Sequence, residues 1–134
     1  MKKFFSSWML AVLLALTALS LSACAADKKP EAVVEQFYRA AFDDKTDEAI
    51  NYVALGDVKE NDMTATKGKI QMMVGGMSSK AKEWGGLQSI KTTVLEQEET
   101  YAKVETELTF KNDEIREHVE KLVKEDGKWK IILE

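Results

Sequence analysis

The apolar positions of this 134-residue chain fall into three regimes. Phe4 to Leu21 carries no charge at all. From Pro30 to Trp84, apolar residues recur at helical spacing. From Leu87 onward the period shortens to two, the spacing of strands with one buried face.

The helical regime begins with "PEAVVEQFYRAAF". Val33, Phe37 and Ala41 make one row, and Val34, Tyr38 and Phe42 the row beside it. That is a wide apolar stripe on one helix. Pro30 suits the first turn, and Glu31 complements the positive end of the dipole. Asp43-Asp44-Lys45 ends the stripe. Thr46 is placed to cap a second short helix, "DEAINYVAL", which Gly56 would close. A polar loop, Asp57–Asp62, follows. In "MTATKGKIQMMVGGMSSKAKEW", residues Ile70, Met73, Val74, Met77, Ala81 and Trp84 share one helical face. Gly75 and Gly76 interrupt it at a cost of ~1 kcal/mol each relative to Ala, which predicts a bend or a break. Gly85-Gly86 then stops the helix.

"LQSIKTTVLEQ" is rich in β-branched residues, and "TYAKVETELTF" alternates strictly. Ala102, Val104, Thr106, Leu108 and Phe110 lie on one side, with Lys103, Glu105, Glu107 and Thr109 on the other. This is a half-buried antiparallel strand. "EIREHVEKLVK" fits either period. It is assigned as a strand because "EDG" and the alternating "KWKIIL" follow, as in a hairpin. With a three-residue Glu125-Asp126-Gly127 loop, Ile115, Glu117, Val119, Lys121 and Val123 share the face of Trp129, Ile131 and Leu133. With a two-residue Asp126-Gly127 turn, His118, Glu120 and Leu122 take that face instead. Three apolar residues against one favour the first arrangement, which points His118 away from the core. The predicted architecture is α+β: N-terminal helices packed on the concave face of a curved, four-stranded antiparallel meander.

The N-terminus reads as an address. Lys2 and Lys3 precede the apolar run, and small residues end it, as in a secretory signal peptide. Leu21-Ser22-Ala23-Cys24 resembles the bacterial lipobox. That likeness implies cleavage between Ala23 and Cys24, with a diacylglyceryl thioether and further acyl chains such as palmitate on Cys24. It divides the chain into a lipoprotein signal peptide (1–23), a lipidated tether (24–29) and one domain (30–134). The expected partner is then the membrane, through lipid on Cys24, because several acyl chains anchor stably. The tether reaches less than ~20 Å. Cys24 is the only cysteine, so no disulfide is available to the fold. Ala25 rather than Asp follows it, which under the enteric sorting rule favours the outer membrane of a Gram-negative envelope.

Charge narrows the partners. Residues 1–23 hold two lysines and no acid, so a net charge of −4 for the chain becomes −6 from Cys24 onward. An acidic body of this kind is a poor nucleic-acid ligand.

Three stretches carry a likeness to a known group: "PEAVVEQFYRAAFDDKTDEAINYV", "GGLQSI" with "YAKVETELTF", and "LVKEDGKWKIIL". They resemble small bacterial lipoproteins of the nuclear-transport-factor-2-like (cystatin-like) superfamily, in the branch with a lumazine-binding-like domain of unknown function. The resemblance runs from Pro30 to Leu133. It implies a sheet wrapped around the first helix to form a cone-shaped cavity, and in some members a homodimer through the open sheet face. Members include enzymes and simple binders, so the fold leaves function open.

Candidate chemistry is sparse. His118 beside Glu117 and Glu120 is a potential acid/base, although a rim position is the plainer reading. Glu117 and Lys121 are expected as a cavity-rim pair. Met63, Met72, Met73 and Met77 suggest soft-metal binding, but no His or Cys joins them, so no metal and no cofactor is expected. The glycine pairs lack the strand-then-helix setting of a phosphate loop. The cavity candidates are Tyr38, Phe42, Met73, Met77, Trp84 and Trp129. The leading expectation is a lipid-anchored, non-catalytic module binding a small apolar ligand or a partner protein. The alternatives are an isomerase- or dehydratase-type enzyme using the cone, and an assembly module without ligand. A buried ionisable pair in an open cavity would favour the enzyme, and a filled cone would exclude it.

Overall fold

A computed structural model describes residues 28–134; the expected signal peptide (1–23), Cys24 and the expected tether as far as Asp27 lie outside the described residues. The first helix, α1, spans Pro30–Phe42 with Pro30 in its first turn. Its predicted stripe is its packed face: Val33, Val34, Phe37, Tyr38, Ala40 and Ala41 are all buried. Arg39 and Glu35 pair across one turn at 2.9 Å on the solvent side. Asp44 ends the connection in a left-handed conformation, φ +60°.

The second helix, α2, covers only Thr46–Ile50. The expected nine-residue helix closed by Gly56 does not form, and Thr46 is its first residue rather than a side-chain cap. The reason is a competing partner. Ile131 donates its N–H to the Tyr52 carbonyl and accepts from Ala54, both at 2.8 Å, so Tyr52–Ala54 runs extended beside the last strand. Gly56 is used differently. Its N–H donates to the Glu125 carboxylate at 2.8 Å, and a Cβ at Gly56 would collide with that carboxylate.

A 3₁₀ turn, Glu60–Asp62, leads into α3, Met63–Glu83. This helix is continuous through Gly75-Gly76, so it does not break at the pair. Both glycines face solvent, with no atom within 4 Å of where a Cβ would stand. Burial of Ile70 and Val74 before the pair, and of Ser78 and Ala81 after it, keeps the helix continuous against its weak propensity. Ser78 and Lys82 also donate to the two oxygens of the Asp44 carboxylate, tying α3 to the end of α1. Gly85 and Gly86, at φ +85° and +96°, swing the chain into the sheet.

Four strands follow: β1 Leu87–Gln97, β2 Tyr101–Phe110, β3 Ile115–Glu125 and β4 Lys128–Ile132. They pair antiparallel in sequence order, as expected of a meander. Register irregularities at Leu87/Ser89 and Val94/Glu96 bend the β1–β2 ribbon. On β2 the alternation is complete: Ala102, Val104, Thr106, Leu108 and Phe110 are buried beneath the helices. Over the described residues the fold is α+β, helices on the concave face of an open four-stranded sheet.

The last hairpin corrects the expected register. Glu125 pairs with Lys128 across a two-residue turn, Asp126-Gly127, with φ +52° and +75°. Leu122 therefore stands opposite Ile131, and both are fully buried. Counting apolar residues pointed to the other face, but Ile115 and Val119 are each 52% exposed on the outside of the sheet. The turn decides: positive φ at both central positions is the geometry that Asp-Gly accommodates, and it matches strand twist.

Candidate functional site

With β3 in this register, Arg116, His118 and Glu120 share the inward face with Leu122. They form one wall of a cavity of about 590 Å³ at the wide end of the cone. The second half of α1 supplies Phe37, Tyr38 and Phe42. The helix α3 supplies Met73, Met77, Lys80 and Trp84. The ends of β2 and the C-terminus add Leu108, Phe110 and Leu133. Five of the six cavity candidates line this space. Trp129 does not. It is buried toward the β3–β4 turn, beside a second pocket of about 330 Å³ with Tyr52, Lys28 and Lys130.

The aromatic rings form a continuous belt. His118 stacks on Tyr38 at 6.4 Å between centroids, and Tyr38 stacks on Phe42 at 5.8 Å. Phe42 meets Phe110 edge-on at 5.5 Å, and Phe110 meets Trp84 edge-on at 4.9 Å. The belt ends in cations. The Arg116 guanidinium lies 4.9 Å from the centre of the Trp84 ring and the Lys80 ammonium 5.6 Å from it.

Tyr38 carries the main polar contact of the interior. Its side chain is 5% exposed, and its hydroxyl donates to the Glu120 carboxylate. Burial, then the Glu120 charge, then the hydrogen bond itself push Tyr38 ionisation well above its ordinary value of 10.0. The phenol therefore stays a proton donor, held by a carboxylate at the edge of an open cavity. Thr106, opposite His118 on β2, is fully buried with its hydroxyl oxygen unpaired.

The expected rim pair is not formed. Lys121 bonds the Glu134 carboxylate at 2.9 Å, which raises Lys121 above its ordinary value, and Glu117 faces outward opposite Glu107. Four residues along a strand separate two side chains by roughly 13 Å, too far for contact. His118, expected to point away from the core, lies on the cavity side. The two-residue Asp126-Gly127 turn, the less favoured of the two arrangements weighed from the sequence, is the one that brings His118 and Glu120 inward, and Arg116, which the sequence reading did not name, joins them. Among the described residues, no cluster of three or more His, Cys, Asp or Glu is arranged to hold a metal ion. Met72 is 80% exposed, whereas Met73 and Met77 turn toward the cavity. No described helix is long and apolar enough to cross a membrane.

Comparison with known proteins supports this architecture. No curated protein matches the chain. A crystal structure from Campylobacter jejuni, described as a "putative NTF2-like transpeptidase", superimposes with a TM-score of 0.75 at 26% identity. The likeness spans 80% of this chain and 100% of that one. The fold is thus NTF2-like, which suggests a ligand-binding or enzyme-like module. The family model described as "Domain of unknown function (DUF4878)" matches residues 22–132, and the chain belongs to that family.

Proposed function

We propose that this chain is a lipid-anchored envelope protein whose cone binds a small molecule with an apolar body, without transforming it. One observation carries the binding reading: an open cavity of about 590 Å³, walled by aromatic and methionine side chains and edged by a few polar groups. This is the size and character of small-ligand sites. The anchor rests on the N-terminal pattern, with Leu21-Ser22-Ala23-Cys24 read as a lipobox and Ala25 favouring the outer membrane. The finer likeness, to the lumazine-binding-like branch, rests on "GGLQSI", "YAKVETELTF" and "LVKEDGKWKIIL" and belongs to the same proposal. Cys24→Ser is expected to abolish acyl labelling and membrane fractionation; a mutant that still carries lipid overturns the anchor. Native mass spectrometry of residues 25–134 purified from their own envelope is expected to show a bound small molecule. Recovery of only the bare chain, with no uptake of added apolar compounds, overturns the binding reading.

A second reading has one specific observation in its favour. The Tyr38–Glu120 pair, with His118 stacked on the phenol, is an ionisable group buried beside an open cavity. Acid–base chemistry on a bound substrate would use those three groups. Acyl transfer of the kind named for the Campylobacter protein finds less support, because no Ser, Thr or Cys is among the residues lining the cavity. Identification of the bound molecule separates the two: a compound recovered unchanged after prolonged incubation favours binding, and turnover abolished by Tyr38→Phe favours chemistry.

A further inference from the structure

We infer that the cone takes an anionic amphiphile: one flexible acyl chain inside, and a carboxylate at the mouth beside Arg116 and Lys80. The inference rests on the reading of the cone as a ligand site.

The shape of the apolar part follows from how the rings are used. Tyr38 is stacked against both Phe42 and His118 and meets Phe37 edge-on. Phe110 spends its contacts edge-on to Phe42 and Trp84. Trp84 is attended by two cations. A flat aromatic guest needs a free ring face to stack upon, and Tyr38, Phe42, Phe110 and Trp84 each already meet two or more ring or cation partners. The rest of the apolar wall includes the flexible thioethers of Met73 and Met77. Those surfaces adapt to a flexible chain more readily than to a rigid plate.

The charge of the head follows from which ions are already committed. Glu120, the acid on the inner wall, holds the Tyr38 hydroxyl. Glu134 at the rim is occupied by Lys121. Arg116 and Lys80 are held only by surface partners, Glu114 at 3.3 Å and Glu83 at 3.2 Å, with all four side chains between 41% and 63% exposed. Such pairs contribute little and exchange easily. Two cations thus converge on one indole at the mouth, free to turn toward a guest. A guanidinium offers a carboxylate a planar two-pronged donor.

The test uses soluble residues 25–134, which contain every described element, after removal of any carried ligand. A neutral fluorescent probe, N-phenyl-1-naphthylamine, reports occupancy, and competitors below their micelle concentration displace it. Dodecanoate is expected to compete at a concentration at least tenfold lower than dodecanol. Octanoate should be weaker by roughly fourfold per methylene removed. Arg116→Ala with Lys80→Ala should erase the preference for the acid while leaving dodecanol unchanged, with circular dichroism confirming the fold. Arg116→Lys should retain part of the preference. Equal competition by acid and alcohol, or a preference that survives the double substitution, overturns the anionic head. A rigid aromatic acid, 2-naphthoate, outcompeting dodecanoate overturns the flexible chain. Failure of the probe and of every competitor to bind overturns the ligand site itself.

Discussion

Replacing Tyr38 by Phe removes one hydroxyl and nothing else from the belt, so it isolates the bond to Glu120. A hydrogen bond to a charged acceptor contributes about 1.5–3 kcal/mol when fully sheltered. Glu120 is half-buried at an open cavity and regains water when the hydroxyl goes. The expected cost near pH 8 is therefore about 1–1.5 kcal/mol. The pH dependence is the sharper test. Tyr38 ionises above its ordinary value in the fold, so the folded state holds this proton more tightly than the unfolded chain. The contribution is complete below pH 10 and is lost as pH rises beyond it, because unfolding then releases the proton. At pH 11 the wild type loses about 1.4 kcal/mol through this group alone. The Phe variant has no such proton to lose. Urea melts followed by far-ultraviolet circular dichroism at pH 8, 9, 10 and 11 should show a constant gap up to pH 9. The gap should then close to near zero by pH 11. Titrations common to both proteins cancel in the difference. A gap unchanged at pH 11 would mean that Tyr38 ionises normally in the fold, and the argument from burial and Glu120 would be wrong.

Other outcomes follow from the same geometry. Gly75→Ala and Gly76→Ala stand in open space within a continuous helix, so each should stabilise by about 1 kcal/mol and raise Tm by roughly 4–8 °C. A fall in Tm would show that the helix needs the pair. Ser78→Ala removes a buried donor to Asp44 and should cost about 1 kcal/mol near neutral pH. Because Lys82 and Ser78 hold the Asp44 carboxyl below its ordinary 3.8, their support persists above that range. It fades as pH falls through the lowered value, and acid melts of the variant and the wild type should converge. Gly56→Ala should displace the Glu125 carboxylate from the Leu55 and Gly56 amides and cost about 1–2 kcal/mol. In an Glu125→Ala background the same substitution should be nearly neutral, and a double-mutant cycle by urea melts measures the coupling.

What could be read in advance followed burial that is periodic. The stripe of α1 and the alternation of β2 each commit one face to the core, and both lie as expected. The misreadings share a cause: a local signal outweighed by a distant partner, or the reverse. Propensity at Gly75-Gly76 predicted a break, yet packing of Val74 and Ser78 on the opposite face holds the helix. The α2 pattern continued past Ile50, but Ile131 captured Tyr52–Ala54 as an extended neighbour. On β3 the error ran the other way. Apolar counting assumed a sealed interior, whereas the wide end of the cone is open and tolerates Arg116, His118 and Glu120 facing inward. There the local turn chemistry was the better guide. Trp129 was grouped with the cavity by its character, and a residue's character does not say which end of a strand meets which end of the cone.

The two described tryptophans sit at opposite ends of the molecule, Trp84 on the cavity and Trp129 6% exposed toward the far turn. Residues 28–134 thus carry two built-in light sources with separate duties. Cavity occupancy is expected to quench or shift Trp84 emission, with Arg116 and Lys80 as its neighbours, while Trp129 is expected to report the integrity of the sheet. A Trp84→Phe variant leaves Trp129 as a folding signal; a Trp129→Phe variant leaves Trp84, which reports occupancy under native conditions and unfolding under denaturing ones. Ligand uptake and unfolding can then be followed in one cuvette without a label.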